Sequence, residues 1–123
     1  MRLLLVEDDH ILGSSLTKAL EKHAYGVDWL QDGESALAAL SDCAFAAVIL
    51  DINLPKMNGL DVLKKLTEMD GQARVIVVSA DVQDSSRVLA ESGGAAGFLT
   101  KPVDRATLLS AVSKTLETGT AWS

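Results

Sequence analysis

The sequence contains one cysteine, Cys43, among 123 residues. A single cysteine excludes a disulfide within the chain and a cluster of thiolate metal ligands. We expect it to behave as a small, buried or half-buried apolar residue near a helix end. Long apolar runs are missing too, and the opening "MRLLLVEDD" reaches carboxylates too soon for a signal peptide or a membrane span. We therefore expect a cytoplasmic protein that does not contact a membrane.

Basic clusters are also missing. Eleven Lys and Arg residues against seventeen Asp and Glu residues give a formal net charge of −6, and the basic residues are scattered along the chain. This charge disfavours direct nucleic-acid binding, because neutralising phosphates requires a basic surface. A cation or a basic patch on another protein is the more natural partner.

The chain also has no low-complexity tract, no internal linker and no repeat longer than one strand and one helix. Apolar residues make up 48% and charged residues 23%, as in an average globular protein. One domain is expected, with residues 1–118 forming its body. We expect residues 119–123 to be a frayed tail or the start of a linker.

Short apolar runs alternate five times with helical patterns. Runs such as "LLLV", "VIL" and "VIVV" are apolar at consecutive positions, which is typical of strands covered on both faces of a parallel sheet. The predicted strands are 2–6, 27–30, 46–50, 74–79 and 97–100. We expect Trp29, on the second of them, to be a packing residue.

Apolar residues at helical spacing predict a helix after each strand. Leu16, Leu20 and His23 are expected on the buried side of the first helix, and Val88 and Leu89 on that of the fourth. The alternation predicts an α/β fold with five helices on the two faces of an open sheet. Its expected form is the flavodoxin-like, doubly wound, five-stranded parallel sheet with strand order 2-1-3-4-5.

Carboxylates follow the first and the third predicted strand. Glu7 and Asp8 come directly after the first, and Asp51 comes after the third. In open parallel sheets, ligands bind beyond the carboxyl ends of the strands, near the point where strand order reverses. If these strands are neighbours, three like charges meet there, and they need either a proton or a cation between them. A hard divalent ion, Mg²⁺ above all, fits a site of carboxylates and water.

A hydroxyl and a lysine belong to the last two strands. Ser79 ends the fourth, and Lys101 follows the fifth directly before Pro102, which restricts the backbone of the lysine and permits a cis bond. At the same edge of the sheet they supply a hydrogen-bond donor and a cation opposite the carboxylates. That combination suits a phosphoryl group, whose oxygens are stabilised by Mg²⁺, an ammonium group and donors.

Four segments at these positions resemble the receiver domain of bacterial two-component response regulators. They are "LLLVEDD", "DINLPKMNG", "VIVVSA" and "FLTKPVD", in the order and spacing of that family. Each segment alone is weak evidence for the family, whereas four segments in the right order and spacing are specific to it. The resemblance covers essentially the whole chain. It implies a CheY-like fold and a signalling role in which a sensor histidine kinase or a phosphotransfer protein supplies a phosphoryl group. The chemistry implied is self-phosphorylation and self-dephosphorylation, not that of an enzyme with a separate substrate.

The resemblance assigns a role to each residue at the acidic edge. Asp51 is implied to be the phosphoacceptor, acting as nucleophile on phosphorus. Glu7 and Asp8 are implied to form the acidic pocket, with Mg²⁺ reached by Asp8, by Asp51 and by the main-chain carbonyl of Asn53. Lys101 is implied to pair with a phosphoryl oxygen.

A second set of residues is implied to report phosphorylation. Ser79 takes the position of the switch hydroxyl, and Phe98 that of the switch aromatic, where many relatives carry Tyr. Together they would switch the surface of the fourth helix and fifth strand. Asn53 and Asp81 flank the site where the family tunes the lifetime of the acyl phosphate, and polar residues at both predict a short to intermediate lifetime.

The first half of the chain is similar to receivers that precede a winged-helix DNA-binding domain. The implied output is transcription, through an effector domain that this chain does not include. The last helix, "DRATLLSAVSKTLE", lacks the acidic–basic pairing by which that subgroup dimerises through its fourth and fifth helices. A homodimer formed on phosphorylation is left open.

Three other functions are considered. A Mg²⁺-dependent aspartyl phosphohydrolase would need an acid two residues after the nucleophile, where this chain has Asn53. A nucleotide-binding module would need a glycine-rich turn after the first strand, where "EDDHILG" is acidic. A pseudo-receiver that does not use phosphate would lack the acceptor, the metal-binding acids or the lysine, and all of them are present.

Overall fold

A computed structural model of the chain describes residues 1–69, 74–80 and 84–122, and of Asp84 only the backbone. Within these residues, five strands alternate with five helices, as the sequence predicts. The elements, in chain order, are β1 (Arg2–Val6), α1 (His10–Glu21), β2 (Gly26–Leu30), α2 (Gly33–Asp42), β3 (Ala47–Asp51), α3 (Gly59–Met69), β4 (Val75–Ser79), α4 (Asp84–Ser92), β5 (Gly97–Thr100) and α5 (Arg105–Thr118).

The strands form one parallel sheet in the order β2-β1-β3-β4-β5, which confirms the predicted fold. The strand order reverses beside β1, so the ends of β1 and β3 lie next to each other. Val6 pairs with Leu50, and Asp51 pairs with Val78. Asp51 is therefore the last residue of β3 rather than the first residue after it, and the sheet itself fixes its backbone.

Each face of the sheet carries its own layer of core residues. Leu4, Val6 and Leu50 pack on the side of α2 and α3, while Leu3 and Ile49 pack on the side of α1 and α5. All five residues are buried to within 1% of complete. Consecutive apolar residues are explained by this arrangement, because alternate side chains of a strand point to opposite faces and both faces are covered.

Three predicted core positions are wrong. Val88 and Leu89 are 59% and 56% exposed, and Ala90 is the residue by which α4 packs on the core. His23 follows the end of α1 and is exposed. The spacing of apolar residues along a sequence defines the buried side of a helix only to within one residue. The small side chain of Ala90 contributes little to such a pattern, so the pattern pointed to the larger Val88 and Leu89.

Helix ends follow capping rules. The carboxylate of Asp9 accepts hydrogen bonds from the N–H groups of Ile11 and Leu12, and the carboxylate of Asp32 accepts one from that of Ser35. Cys43 ends α2, as predicted, but it is exposed rather than buried. Within the part of the chain that the structure describes, no helix combines the length and the apolar character needed to cross a bilayer.

Candidate functional site

Three carboxylates meet where β1 and β3 end. The side chains of Glu7, Asp8 and Asp51 each offer an oxygen, and these oxygens lie within 4.8 Å of one another. Glu7 and Asp51 are 1% and 2% exposed, whereas Asp8 is open to solvent. Buried like charges at this distance require compensation by a cation or a proton. The predicted meeting of these three residues is confirmed, and their oxygen donors suit a hard divalent cation.

Lys101 supplies part of that compensation. Its Nζ lies 2.9 Å from Asp51 Oδ2 and 3.2 Å from Glu7 Oε1. Its backbone N–H donates to the carbonyl of Ser79 at 2.7 Å, and the Lys101–Pro102 peptide bond is cis. The lysine is thus held by its main chain against β4 while its ammonium group reaches across to β3.

Electrostatics at the site favour bound positive charge. Burial raises the pKa of Glu7 from its usual 4.5 to about 7, and the hydrogen bond that it shares with Asp51 adds to the rise. Burial lowers the pKa of Lys101, but the contacts with Asp51 and Glu7 outweigh burial, so this pKa is raised overall. Near neutral pH, Glu7 is therefore protonated in part of the molecules, and a further cation at the site would favour loss of that proton.

The loop after β3 folds back on the strand. The N–H of Asn53 donates to Asp51 Oδ1 at 2.8 Å, and Asn53 Oδ1 accepts from the N–H of Ala80 at 3.2 Å. The first bond orients the Asp51 carboxylate, and the second joins this loop to the end of β4. The sequence predicts a main-chain metal contact and a role in acyl-phosphate lifetime for Asn53, but not its contact with Ala80, which depends on the order of strands.

Gly59 allows this loop to stay close. Its N–H donates to the carbonyl of Ile52 at 3.0 Å. A Cβ at Gly59 would lie 2.2 Å from the Cα of Ile52 and 2.8 Å from the carbonyl oxygen of Asp51, so any larger residue would push the loop away. The Asn-Gly pair in "KMNG" was the sequence signal for this position.

Ser79 and Phe98 lie at different depths. Val78 of β4 pairs with Asp51, and Ser79 is the next and last residue of β4. Ser79 is completely buried. Phe98 is half-buried on β5, packs on the core layer that contains Leu4, and lines a cleft of about 470 Å³ towards α4 and α5. The structure thus places Ser79 at the acidic edge and Phe98 away from it, on the side surface. Asp81 lies outside the described residues.

Trp29 has a role that the sequence analysis missed. Its Nε1–H donates to the carbonyl oxygen of Glu7 at 2.9 Å, and the ring of His10 meets the indole edge-on at a centroid distance of 6.1 Å. Gly13 leaves room for the indole, since a Cβ there would lie 2.1 Å from a Trp29 ring carbon. The expectation of simple packing is incomplete, because the indole fixes the peptide between Glu7 and Asp8.

The family model described as response regulator receiver domain matches residues 3–113. The chain belongs to this family. Among its relatives, the transcriptional regulatory protein QseB of Haemophilus influenzae is 38% identical over 102 residues, which make up 83% of this chain and 46% of that protein. The chain spans about half the length of relatives such as QseB and PmrA, and less than a fifth of the length of relatives such as RpfC.

Solved receiver structures share the fold. A CheY-like receiver domain from Methanospirillum hungatei has a TM-score of 0.90 at 28% identity, covering 94% of this chain and 93% of that one. The BeF3-activated receiver domain of DrrB has a TM-score of 0.86 at 27% identity, covering 94% and 97%. The predicted family and fold are confirmed. The chain is a two-component receiver domain, a phosphorylation-regulated signalling module and not a member of a conventional enzyme family.

The family has common partners and a common metal ion. Receiver domains interact with histidine kinases or phosphotransfer proteins, and they generally bind Mg²⁺ in an acidic pocket. The cluster of Glu7, Asp8 and Asp51 fits such an ion, because it offers only oxygen donors, two of them from buried side chains.

Proposed function

We propose that Asp51 is the residue that accepts the phosphoryl group. An Asp51 oxygen attacks phosphorus, the phosphorus–nitrogen bond of a donor phosphohistidine breaks, and the imidazole leaves with the bonding electrons. The donor is a sensor histidine kinase or a phosphotransfer protein. The buried pair of Asp51 and Lys101, inside a cluster of acids, is the observation that carries this proposal.

We propose that Glu7, Asp8, Asp51 and the main-chain carbonyl of Asn53 hold Mg²⁺. Bound there, the ion would neutralise charge on the phosphoryl oxygens. Lys101 then pairs with a phosphoryl oxygen instead of with carboxylates alone. The N–H of Asn53 keeps the carboxylate of Asp51 oriented for attack.

A hydrolase that acts on separate substrates is not favoured. Such an enzyme needs a proton donor two residues after the nucleophile, and Asn53 stands there with its side-chain oxygen bonded to the N–H of Ala80. The chemistry proposed for this chain is therefore confined to uptake and loss of its own phosphoryl group.

We further propose that phosphorylation switches the surface of α4 and β5. The new group adds roughly −1.5 to −2 charge and strong acceptor oxygens. These draw in Ser79 and Lys101, and Phe98 follows from its position in the side cleft. Because the relatives of this receiver include transcriptional regulatory proteins about twice its length, the proposed output is transcription through an effector domain. A homodimer formed on phosphorylation is one route to that output.

The test is chemical modification followed by mapping. The protein is incubated with acetyl phosphate and Mg²⁺, and intact mass is measured before and after borohydride trapping. Before trapping, a mass increase of one phosphoryl group is expected. Borohydride should then reduce the acyl phosphate of residue 51 to an alcohol with release of phosphate, so that this residue is mapped as homoserine. Uptake on another residue, or no uptake with a donor that phosphorylates an unrelated receiver in parallel, would overturn the proposal.

A further inference from the structure

The last described residues fold back on the domain. Gly119 ends α5 with a φ of 88°, and its N–H donates to the carbonyl of Thr115. The chain then reverses, so that the N–H of Ala121 and the hydroxyl of Thr120 both donate to the carbonyl of Ala96, at 2.8 and 2.9 Å. We call residues 119–122 the strap.

Trp122 anchors the strap at two elements. Its Nε1–H donates to the carbonyl of Ala95 at 2.8 Å, two residues before β5 begins. The guanidinium of Arg87, on α4, lies 5.2 Å from the centroid of the indole, within the range of a cation–π contact. The indole therefore bridges α4 and the start of β5.

The strap also borders the cleft of the switch aromatic. Trp122 and Phe98 line the same cleft of about 470 Å³, together with exposed residues of α5 such as Ser110 and Lys114. Both aromatic side chains pack on the same core layer. Inward movement of Phe98 would remove one wall of the cleft beside Trp122.

We propose that the strap is an intramolecular latch that binds the unphosphorylated arrangement of α4 and β5 and is released by phosphorylation. The inference rests on the proposed function. The contacts described belong to the unphosphorylated state, since Lys101 pairs directly with Asp51. The contacts of the strap with α4 and with the segment before β5 bias the relative position of these two elements only if they are stronger in one arrangement than in the other. Coupling between two sites is reciprocal. If phosphorylation weakens the binding of the strap, then removal of the strap must strengthen the binding of a phosphoryl group or its mimic.

The direct test follows the two indole N–H signals by proton–nitrogen NMR. Trp122→Phe identifies which signal belongs to which tryptophan. Beryllofluoride with Mg²⁺ is then added as a phosphoryl mimic. The Trp122 signal is expected to move and to lose protection from deuterium exchange, because its bond to Ala95 opens. The Trp29 signal is expected to move as well, since that indole bonds to the main-chain carbonyl of Glu7, whose carboxylate belongs to the acidic cluster.

The two signals separate the possible failures. If the Trp29 signal moves while the Trp122 signal and its protection stay unchanged, the pocket is loaded and the latch is wrong. If neither signal moves and acetyl phosphate adds no mass, the proposed function itself fails.

The second test uses linkage. Trp122→Ala is expected to tighten the apparent affinity for beryllofluoride by roughly threefold to thirtyfold, because a hydrogen bond and a cation–π contact are lost from one state only. Arg87→Ala should act in the same direction with a smaller effect. Arg105→Ala removes the same charge from α5 beside Lys18 and Lys22, and no change is expected.

A folding control accompanies these variants. Thermal unfolding of each is recorded, and Trp122→Phe replaces Trp122→Ala if the latter does not fold. The phenyl ring retains the contact with Arg87 and loses the donor to Ala95, so a smaller gain in affinity is expected. Unchanged or weaker affinity in the folded Trp122 variant would overturn the latch.

Discussion

Lys101 Nζ lies 2.9 Å from Asp51 Oδ2 and joins two residues that are fifty positions apart in the chain. The pair connects the end of β3 to the residue that follows β5, across the intervening strand β4. One ammonium group serves two buried carboxylates, because it also contacts Glu7 at 3.2 Å. One positive charge therefore holds these two carboxylates together, and under the proposed function it would turn to a phosphoryl oxygen.

Asp51→Asn is expected to abolish phosphoryl uptake, because an amide is not a nucleophile towards phosphorus under these conditions. Intact mass after treatment with acetyl phosphate and Mg²⁺ measures the result. Asp61→Asn, an exposed carboxylate in the first turn of α3, is the matched control and should still take up one group. Uptake by the Asp51 variant at a second residue would show that the acceptor assignment is incomplete.

Lys101→Ala is expected to permit uptake but to uncouple the response of α4 and β5. It also leaves two buried carboxylates without their ammonium partner, so the free energy of unfolding should fall by about 1–3 kcal/mol without metal. Added Mg²⁺ should restore part of the loss, since the ion supplies positive charge to the same oxygens. Urea titrations with and without Mg²⁺ measure both effects. Lys114→Ala, exposed on α5, should change neither, and equal losses in both variants would contradict the argument.

Stability without metal is expected to depend on pH through Glu7. The pKa of Glu7 is about 7 in the folded chain, against a usual 4.5. Between pH 4.5 and pH 7, the folded chain therefore binds a proton at Glu7 that the unfolded chain has lost. The free energy of unfolding should therefore fall as pH rises from about 4.5 to about 7, and then level off. The slope should correspond to a difference of at most one bound proton between the folded and the unfolded chain. Asp8, Asp51 and Lys101 face this carboxyl, and the raised pKa of Lys101 keeps the lysine charged throughout the window.

Glu7→Gln should remove that fall when stability is measured by urea titration in the presence of a chelator. Glu117→Gln, on the exposed side of α5, should retain it. A profile of the Glu7 variant that matches the parent would mean that another group binds the proton.

Trp29→Phe is expected to weaken Mg²⁺ binding by roughly threefold to tenfold, because the peptide after Glu7 loses the donor that holds its carbonyl. Calorimetric titration measures the affinity. Tyr25→Phe, which also removes one donor from a half-buried aromatic residue, lies at the opposite end of β2 and should bind Mg²⁺ as the parent does. Equal affinities in all three proteins would limit Trp29 to packing.

Most of the residues at the acidic edge of the sheet could be predicted from the order of strands and polar residues along the chain. The apolar runs that end in Glu7, Asp51 and Ser79 define strands, and parallel strands with helical crossovers bring their carboxyl ends to one side. Lys101 was predictable in the same way, from the strand that precedes it. In the folded chain, Lys101 Nζ contacts both Glu7 and Asp51.

The missed contacts share one property. Asn53 to Ala80, Trp29 to Glu7 and Trp122 to Ala95 each join a side chain to a main-chain group in a distant segment of the chain. Every residue carries such main-chain groups, so the sequence contains no mark for the partner. The strap is the clearest example, because "TGTAW" has the composition of a tail and its contacts come from the path of the chain over β5.

The amino-acid sequence alone determined the alternation of strands and helices, the parallel sheet and the group of acids and lysine at its edge. Those features follow from local periodicity and from the handedness of crossovers, which act on every chain of this pattern. Tertiary structure decided how far burial raises the pKa of Glu7, which side chains bind main-chain atoms, and where Trp122 lies. Those outcomes depend on burial and on distances of about 3 Å between distant segments, which only the packed chain defines.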